Sequence, residues 1–182
     1  MNPLIGKLLN VMSGLINSIQ QGKSRSAFVK TLAVGDPAPE FSLTDQHNSV
    51  HKLKAYRGKW VVVYFYPRDE TPTCTKEACQ FRDNSNAITS KQAVILGVST
   101  DNMAKHQKFA TRYNLPFSLL ADTDGLVAQR YGALLDLKIL RFVKRHSFII
   151  DPEGVVAKIY RNVNADVHVD QVINDLNQLQ TQ

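Results

Sequence analysis

The sequence is poor in cysteine, and its two cysteines, Cys74 and Cys79, lie only five positions apart. Two cysteines cannot build the disulfide framework of a small secreted domain, so thiol chemistry in a reducing compartment fits better. An apolar run of the roughly 18 residues needed to span a membrane is also lacking. The five histidines show no metal-ligand spacing, and a single Cys-x4-Cys pair is a weak zinc signature. We therefore expect no bound metal and no membrane-spanning helix.

Acidic residues are absent from the first 34 positions, which carry four basic ones: Lys7, Lys23, Arg25 and Lys30. The rest of the chain has 18 basic and 16 acidic residues, so most of the formal net charge of +6 comes from this leading segment. The remainder is nearly neutral and has no basic patch with interleaved aromatics. This distribution argues against a nucleic-acid-binding protein.

Residues 1–33 also differ in hydrophobic pattern. Nine apolar residues between Leu4 and Ile19 fall on one arc of roughly 160° of a helical wheel. The pattern predicts an amphipathic helix and a polar linker, without the compact apolar centre of a signal peptide. We expect residues 3–20 to make a protein contact, including self-association, or a peripheral membrane contact. The expected location is cytoplasmic, with an organelle such as the plastid, or peripheral membrane attachment, as the alternatives.

Residues 34–182 alternate between strand-like and helix-like segments and are predicted to form one domain. Their order predicts an α/β protein with a mixed central sheet and a closing hairpin. Asp101 is expected to cap the helix predicted at residues 102–113. Strands are predicted at residues 41–43, 50–53, 60–66, 93–100, 118–120, 147–150 and 155–160, and helices at 74–87, 102–113, 126–131 and 166–179.

The segment from residue 66 to Cys79 is the most informative part of the chain. It follows the apolar run 60–66 and leads into a predicted helix, so Cys74 lies near a helix N-terminus, where free N–H groups favour a thiolate. In an intact helix the Cα atoms of Cys74 and Cys79 would be roughly 8.6 Å apart. A disulfide needs less than about 7 Å, so a bridge between them would require the helix to unwind locally.

The pattern Pro67-x-x-x-Thr71-x-x-Cys74 resembles the active-site signature of peroxiredoxins. Together with Cys79 and the run 145–151, it is similar to the peroxiredoxin Q/bacterioferritin comigratory protein subfamily. The resemblance extends over residues 34–179. One departure is Thr73, where that subfamily often has glycine; this change affects the local turn but removes no catalytic group.

The resemblance implies a thioredoxin-like fold and the reduction of hydrogen peroxide and organic hydroperoxides without metal, haem or flavin. Cys74 would attack the peroxide and become a sulfenic acid, and Cys79 would resolve it as an intramolecular disulfide. Thioredoxin or a similar dithiol would reduce that disulfide. Thr71 and Arg145 would stabilise charge on the peroxide oxygens, and Pro67 would shape the turn.

Two other functions stay open. A thioredoxin-like disulfide exchanger would normally use a Cys-x-x-Cys pair, which the sequence lacks. A peroxide sensor would use the same oxidation as a signal, without rapid turnover. The preferred peroxide, the reductant and the oligomeric state do not follow from the sequence.

Several polar side chains near these residues are expected to have no catalytic role. Glu70, Lys76 and Glu77 are predicted to make solvated or capping contacts. His146 is predicted to face away from the site, because neighbouring residues of a strand point to opposite faces of the sheet.

Overall fold

The structure, a computed structural model, describes residues 31–137 and 141–181. Its strands are β1 (Ser42–Asp45), β2 (Val50–Lys52), β3 (Trp60–Phe65), β4 (Ala93–Ser99), β5 (Ser118–Ala121), β6 (Leu134–Asp136), β7 (Arg141–Val143), β8 (His146–Ile150) and β9 (Val156–Tyr160). Its helices are α1 (Pro72–Asp83), α2 (Ser85–Thr89), α3 (Met103–Tyr113), α4 (Leu126–Arg130) and α5 (His168–Leu179), with a 3-10 turn at Leu53–Tyr56.

Seven strands form one mixed sheet in the order β2-β1-β5-β4-β3-β8-β9. The three central strands β3, β4 and β5 run parallel, whereas β8 pairs antiparallel with β3 and with β9. The predicted mixed sheet and closing hairpin are therefore confirmed. Since β8 is the neighbour of β3, the residue that precedes β8 lies beside the loop that follows β3.

The central strand β3 is buried on both faces, which explains its uninterrupted apolar sequence. Val62 and Tyr64 point to one face and pack in the cluster that contains Phe81 of α1 and residues of α2, α3 and α5. Val63 and Phe65 point to the other face and pack with residues of α4 and the 3-10 turn. The sheet thus has helices on both faces, and α1 lies over the face that carries Tyr64.

A glycine in β4 makes room for the ring of Tyr64 on the face of the sheet that α1 covers. Gly97 pairs with Tyr64 of β3 and with Leu119 of β5. A Cβ atom at Gly97 would lie 2.8 Å from Cζ and from the hydroxyl oxygen of Tyr64, and 2.8 Å from Cδ2 of Leu119. Such contacts are too short for any other residue, so the Tyr64 ring can lie across β4 only because residue 97 has no side chain.

The predicted helix over residues 74–87 is two helices, with Asn84 between them. Asn84 has φ −104° and ψ 9°, and both its amide and its side-chain Nδ2 donate to the Gln80 carbonyl, at 3.1 and 3.0 Å. The predicted cap at Asp101 is also wrong. Asn102 caps α3, because its Oδ1 accepts a hydrogen bond from the Lys105 amide at 3.0 Å.

One further difference concerns two short strands, and one prediction falls on residues that the structure does not describe. The short hairpin of β6 and β7 was not predicted, because three-residue strands show too little alternation to be recognised. The amphipathic helix predicted within residues 1–33 lies outside the described residues, except for residues 31–33. In the ranges that the structure describes, no helix has both the length and the apolar character needed to cross a bilayer.

Candidate active site

Cys74 lies in the first turn of α1, directly after the loop that follows β3. Thr71 is the N-cap residue, with φ −76° and ψ 147°, and Pro72 is the first helical residue. The Thr75 amide donates to the Thr71 carbonyl at 2.8 Å, so the Cys74 amide precedes this hydrogen bond and has no partner within the helix. This helix N-terminus favours negative charge on the Cys74 sulfur, and the residue is only 2% exposed.

Arg145 brings a positive charge to this sulfur. Its Nη2 donates to Sγ of Cys74 at 3.1 Å, although the two residues are 71 positions apart in sequence. The Arg145 side chain is 12% exposed. Burial disfavours the charged guanidinium, but Glu77 and the Cys74 sulfur together outweigh burial and raise the pKa of Arg145. The arginine therefore stays charged beside the Cys74 sulfur.

Glu77 holds the same guanidinium from the next turn of α1. Its Oε2 accepts a hydrogen bond from Nη1 of Arg145, and its side chain is completely buried. Burial raises the pKa of Glu77 to about 7, against the lowering effect of Arg145. The expectation of a solvated or capping contact for Glu77 is wrong, because residues three apart share a helix face and the face with Cys74 is turned inward. The three-residue spacing between Cys74 and Glu77 was the feature of the sequence that indicated a shared helix face.

Two further polar side chains are buried on this face of the sheet. Tyr64 pairs with Ser147 across β3 and β8, and Oγ of Ser147 lies 2.9 Å from Nε2 of His168. Burial lowers the pKa of His168 to about 4, and the charge of Arg145 adds to this shift. Burial, reinforced by the charge of Glu77, raises the pKa of Tyr64 well above its usual value. Neither Tyr64 nor His168 therefore adds charge to the site at neutral pH.

Cys79 lies in the middle of α1 and is partly exposed. Both cysteines are free thiols within one helix, with Cα atoms roughly 8.6 Å apart by helix geometry. Arg82 lies one turn beyond Cys79. Its pKa is raised chiefly by a hydrogen bond to Asp83 and, to a smaller degree, by Cys79. The helix therefore separates the two sulfurs, and a bridge between them would require α1 to unwind.

The loop that enters α1 contains the two other predicted site residues. Pro67 is half-buried at the bend after β3. The Thr71 hydroxyl donates to the Arg68 carbonyl at 3.1 Å, and its lone pairs remain able to accept a hydrogen bond. Thr73 is exposed at the second position of α1, away from the buried sulfur.

The expectations for the neighbouring polar residues are largely confirmed. Lys76 pairs with Asp166 at 2.5 Å on the surface, and Glu70 pairs with Arg112 at 3.2 Å. His146 pairs in the sheet with Phe65, whose side chain packs on the opposite face, and so it does face away from Cys74. Within residues 31–137 and 141–181, no group of three His, Cys, Asp or Glu side chains is placed to hold a metal ion.

Comparisons with known proteins agree with this geometry. The model of the AhpC/TSA family matches residues 34–159. Peroxiredoxin Bcp of Bacillus subtilis is 39% identical over 150 residues, which cover 80% of this chain and 96% of the relative. The chloroplastic peroxiredoxin Q of Populus jackii is 39% identical over 146 residues, or 80% of this chain and 68% of the relative.

A solved structure shows the same fold. The crystal structure of the peroxidoxin BcpB from Mycobacterium tuberculosis matches with a TM-score of 0.77 and 34% identity, over 81% of this chain and 97% of that chain. The mixed sheet flanked by helices is therefore the thioredoxin-like fold that the sequence predicted. On this evidence the chain belongs to the AhpC/TSA family, in its peroxiredoxin Q and Bcp branch, and is a thiol-dependent peroxidase.

Proposed function

We propose that Cys74 is the nucleophile of this peroxidase and that Arg145 stabilises both its thiolate and the bound peroxide. The observation that carries this proposal is the hydrogen bond from Nη2 of Arg145 to Sγ of Cys74, 3.1 Å long, at the N-terminus of α1. The thiolate attacks one peroxide oxygen, the O–O bond breaks, and the sulfur becomes a sulfenic acid. The other oxygen leaves as hydroxide or alkoxide and takes up a proton. Arg145 and the first amides of α1 stabilise its developing negative charge.

Thr71 orients the peroxide in this scheme. Its hydroxyl proton is committed to the Arg68 carbonyl, so the oxygen offers its lone pairs to an incoming O–H group. A peroxide that donates to Thr71 and accepts from Arg145 would present its O–O bond to the Cys74 sulfur. Pro67 fixes the bend that brings this loop back toward the sheet.

Cys79 is the proposed resolving thiol. Its sulfur condenses with the sulfenic acid of Cys74, releasing water and forming a disulfide, once the first turns of α1 have unwound. A thioredoxin-like dithiol, the kind of reductant that serves this family, then exchanges with the bridge and restores both thiols. The unwound segment exposes the disulfide to that reductant.

The direct test measures peroxide consumption with thioredoxin, thioredoxin reductase and NADPH. Cys74→Ser should abolish turnover, because a serine hydroxyl is a far poorer nucleophile at neutral pH. Cys79→Ser should react once with peroxide and then stall as the sulfenic acid. Mass spectrometry of the oxidised wild type should show an intramolecular Cys74–Cys79 bridge. Turnover by Cys74→Ser, or a predominant intermolecular Cys74–Cys74 bridge, would contradict the scheme.

The same assay separates the two alternative functions. A peroxide sensor would be oxidised once per molecule and would show little sustained consumption of NADPH. A disulfide exchanger would reduce protein disulfides, or form them from protein thiols by transferring its own disulfide, without needing peroxide. Sustained peroxide-dependent turnover is expected of neither.

For the leading segment we propose the boundary drawn from the sequence, with residues 1–33 apart from a catalytic domain of residues 34–182. The family match, which begins at residue 34, supports that boundary. Residues 3–20 would mediate self-association or another protein contact, with peripheral membrane attachment as the alternative. A cytoplasmic location is proposed, and the chloroplastic relative from Populus jackii keeps the plastid as the alternative.

A further inference from the structure

The loop of residues 67–71, here called the catalytic loop, is held in place through Asp69. This residue is 6% exposed. Its Oδ1 accepts a hydrogen bond from the Tyr66 hydroxyl at 2.7 Å, and its Oδ2 lies 2.8 Å from Nδ1 of His106. Its amide donates to Oδ2 of Asp101 at 2.8 Å. Three polar groups of one loop residue are thus bound by side chains that lie outside the loop.

His106 belongs to α3 and has no exposed surface. Because the Asp69 carboxylate is an acceptor, Nδ1 of His106 carries the proton of this hydrogen bond. Nε2 is buried and has no hydrogen-bond partner in the described part of the chain, so a second proton there would be an unpaired buried donor. The hydrogen bond from Nδ1 to Asp69 therefore fixes the orientation of the imidazole ring. An apolar side chain at this position would leave Oδ2 of the buried Asp69 carboxylate without this donor, so the hydrogen bond matters for Asp69.

Asp101 connects the catalytic loop to the end of β4. It is 7% exposed, its Oδ1 accepts from Nζ of Lys105 at 2.9 Å, and its amide donates to Oγ of Ser99 at 3.1 Å. The loop is consequently anchored to the end of β4 and to α3, which carry none of the proposed catalytic side chains. These elements fix the loop independently of α1.

The catalytic loop needs such anchors because Glu70, next to Asp69, has a φ of 59°. A non-glycine residue stays in this left-handed region only when its surroundings hold it there. The next residue, Thr71, provides the carbonyl that accepts the hydrogen bond from the Thr75 amide in α1, so a shift of the loop would also move the first turn with Cys74.

We propose that His106 is a positioning residue for peroxide reduction. Acting through Asp69, it fixes the catalytic loop and so places the Thr71 hydroxyl and the Cys74 sulfur correctly around the peroxide. This inference rests on the assignment of Cys74 as the nucleophile made above.

The test compares His106→Leu, which removes the donor at similar size, with His106→Asn, which keeps a side-chain N–H. The full-length protein competes for hydrogen peroxide with a reference peroxidase of known rate constant. The leucine variant should react about tenfold to a hundredfold more slowly, because a misplacement of 1 Å can lower a rate that much. The asparagine variant should recover most of the rate.

A matched control exists in a second Asp–His pair, far from α1. Nε2 of His51 lies 2.9 Å from Oδ2 of Asp45, on the β1–β2 side of the sheet, and His51→Leu should leave the peroxide rate close to that of the wild type. The proposal is overturned if folded His106→Leu reacts as fast as His51→Leu, or if His106→Asn is as slow as His106→Leu. If His106→Leu does not fold, Tyr66→Phe removes only one donor to Asp69 and should still slow the reaction; an unchanged rate would overturn the proposal.

Failure of this inference would leave Cys74 as the nucleophile, since every rate is compared with that of the wild type. Peroxide turnover by Cys74→Ser would instead overturn the nucleophile assignment itself. The two failures are therefore distinguishable.

Discussion

At the scale of single residues, the carboxyl group of Glu77 links stability to pH. Its pKa is raised from 4.5 to about 7 in the folded protein, chiefly by burial. A carboxyl group with a raised folded pKa contributes stability that is fully present below its unfolded pKa and is lost as the pH rises through its folded pKa. The free energy of unfolding of the wild type, relative to Glu77→Gln, should therefore decrease between about pH 4.5 and pH 7.

Urea unfolding of both proteins across this pH range would measure the effect. Glu70→Gln is the matched control, because Glu70 forms an exposed ion pair with Arg112. A difference between the wild type and Glu77→Gln that does not change with pH would contradict the prediction.

Arg145 makes two hydrogen bonds that a lysine could not replace. Its Nη1 donates to Glu77 and its Nη2 donates to Cys74. A single ammonium group lacks this planar fork, so Arg145→Lys should reduce the rate constant with hydrogen peroxide by about a hundredfold, the usual effect of losing one donor at a site of developing charge. Competition kinetics would measure the loss, and Arg112→Lys, on an exposed ion pair, should leave the rate nearly unchanged. Near-normal activity of Arg145→Lys would show that a positive charge at this position is enough for the reaction and that the two-donor geometry of the guanidinium is not needed.

The sequence predicted some of these residues and not others for a physical reason. Cys74, Thr71 and Arg145 are part of recognisable motifs, so their proximity could be expected although Arg145 is 71 positions from Cys74. Glu77 looks like an ordinary charged residue of a surface helix, since its burial depends on which face of α1 meets the sheet. His106 gave no signal, because its side-chain hydrogen-bond partners in the described part of the chain are Asp69 and Tyr66, which lie 37 and 40 positions earlier.

At the scale of secondary structure elements, close contact between strands makes Gly97 a sensitive position. Gly97→Ala should lower the free energy of unfolding by about 1–3 kcal/mol, because the added methyl group would meet Tyr64 and Leu119 at 2.8 Å. Thermal and urea unfolding would measure this change. Combining it with Leu119→Ala should give a smaller loss than the sum of the two single changes, since the second change removes one of the clashing atoms. Full additivity would show that Leu119 does not take part in the clash.

The predicted element boundaries were accurate where the apolar pattern was clear and failed where local polar contacts decided them. The strand β3 and the helix α3 were predicted within one or two residues, because β3 is an uninterrupted apolar run and α3 has helical apolar spacing. The break at Asn84 comes from hydrogen bonds to the Gln80 carbonyl. Asn and Ser favour such local contacts over a continuous helix, so the run of residues 83–86 was a usable signal that the periodicity obscured.

At the scale of the whole molecule, the leading segment should be dispensable for chemistry. Deleting residues 1–30 should leave peroxide turnover within a few-fold of the full-length protein, because all proposed catalytic residues lie between Pro67 and Arg145. It should change self-association or binding to liposomes, because nine apolar side chains on one face of the predicted helix would favour burial by roughly 1.5–3 kcal/mol each before entropy is subtracted.

Activity assays, analytical ultracentrifugation and liposome sedimentation of both forms would test this prediction. A folded truncated protein without peroxidase activity would show that the segment contributes to catalysis. Unchanged self-association and liposome binding would instead refute its docking role.

The location of both cysteines within α1 has a consequence for the reduction potential of the protein. Under the proposed pairing, the dithiol form contains the intact helix and the disulfide form does not, so the stability of α1 enters the free energy that separates the two redox forms. A substitution that stabilises α1 by about 1.4 kcal/mol should make the disulfide a stronger oxidant by about 30 mV, without touching either sulfur. Substitutions at the residues of α1 that face solvent can therefore change how readily the reductant reduces the disulfide.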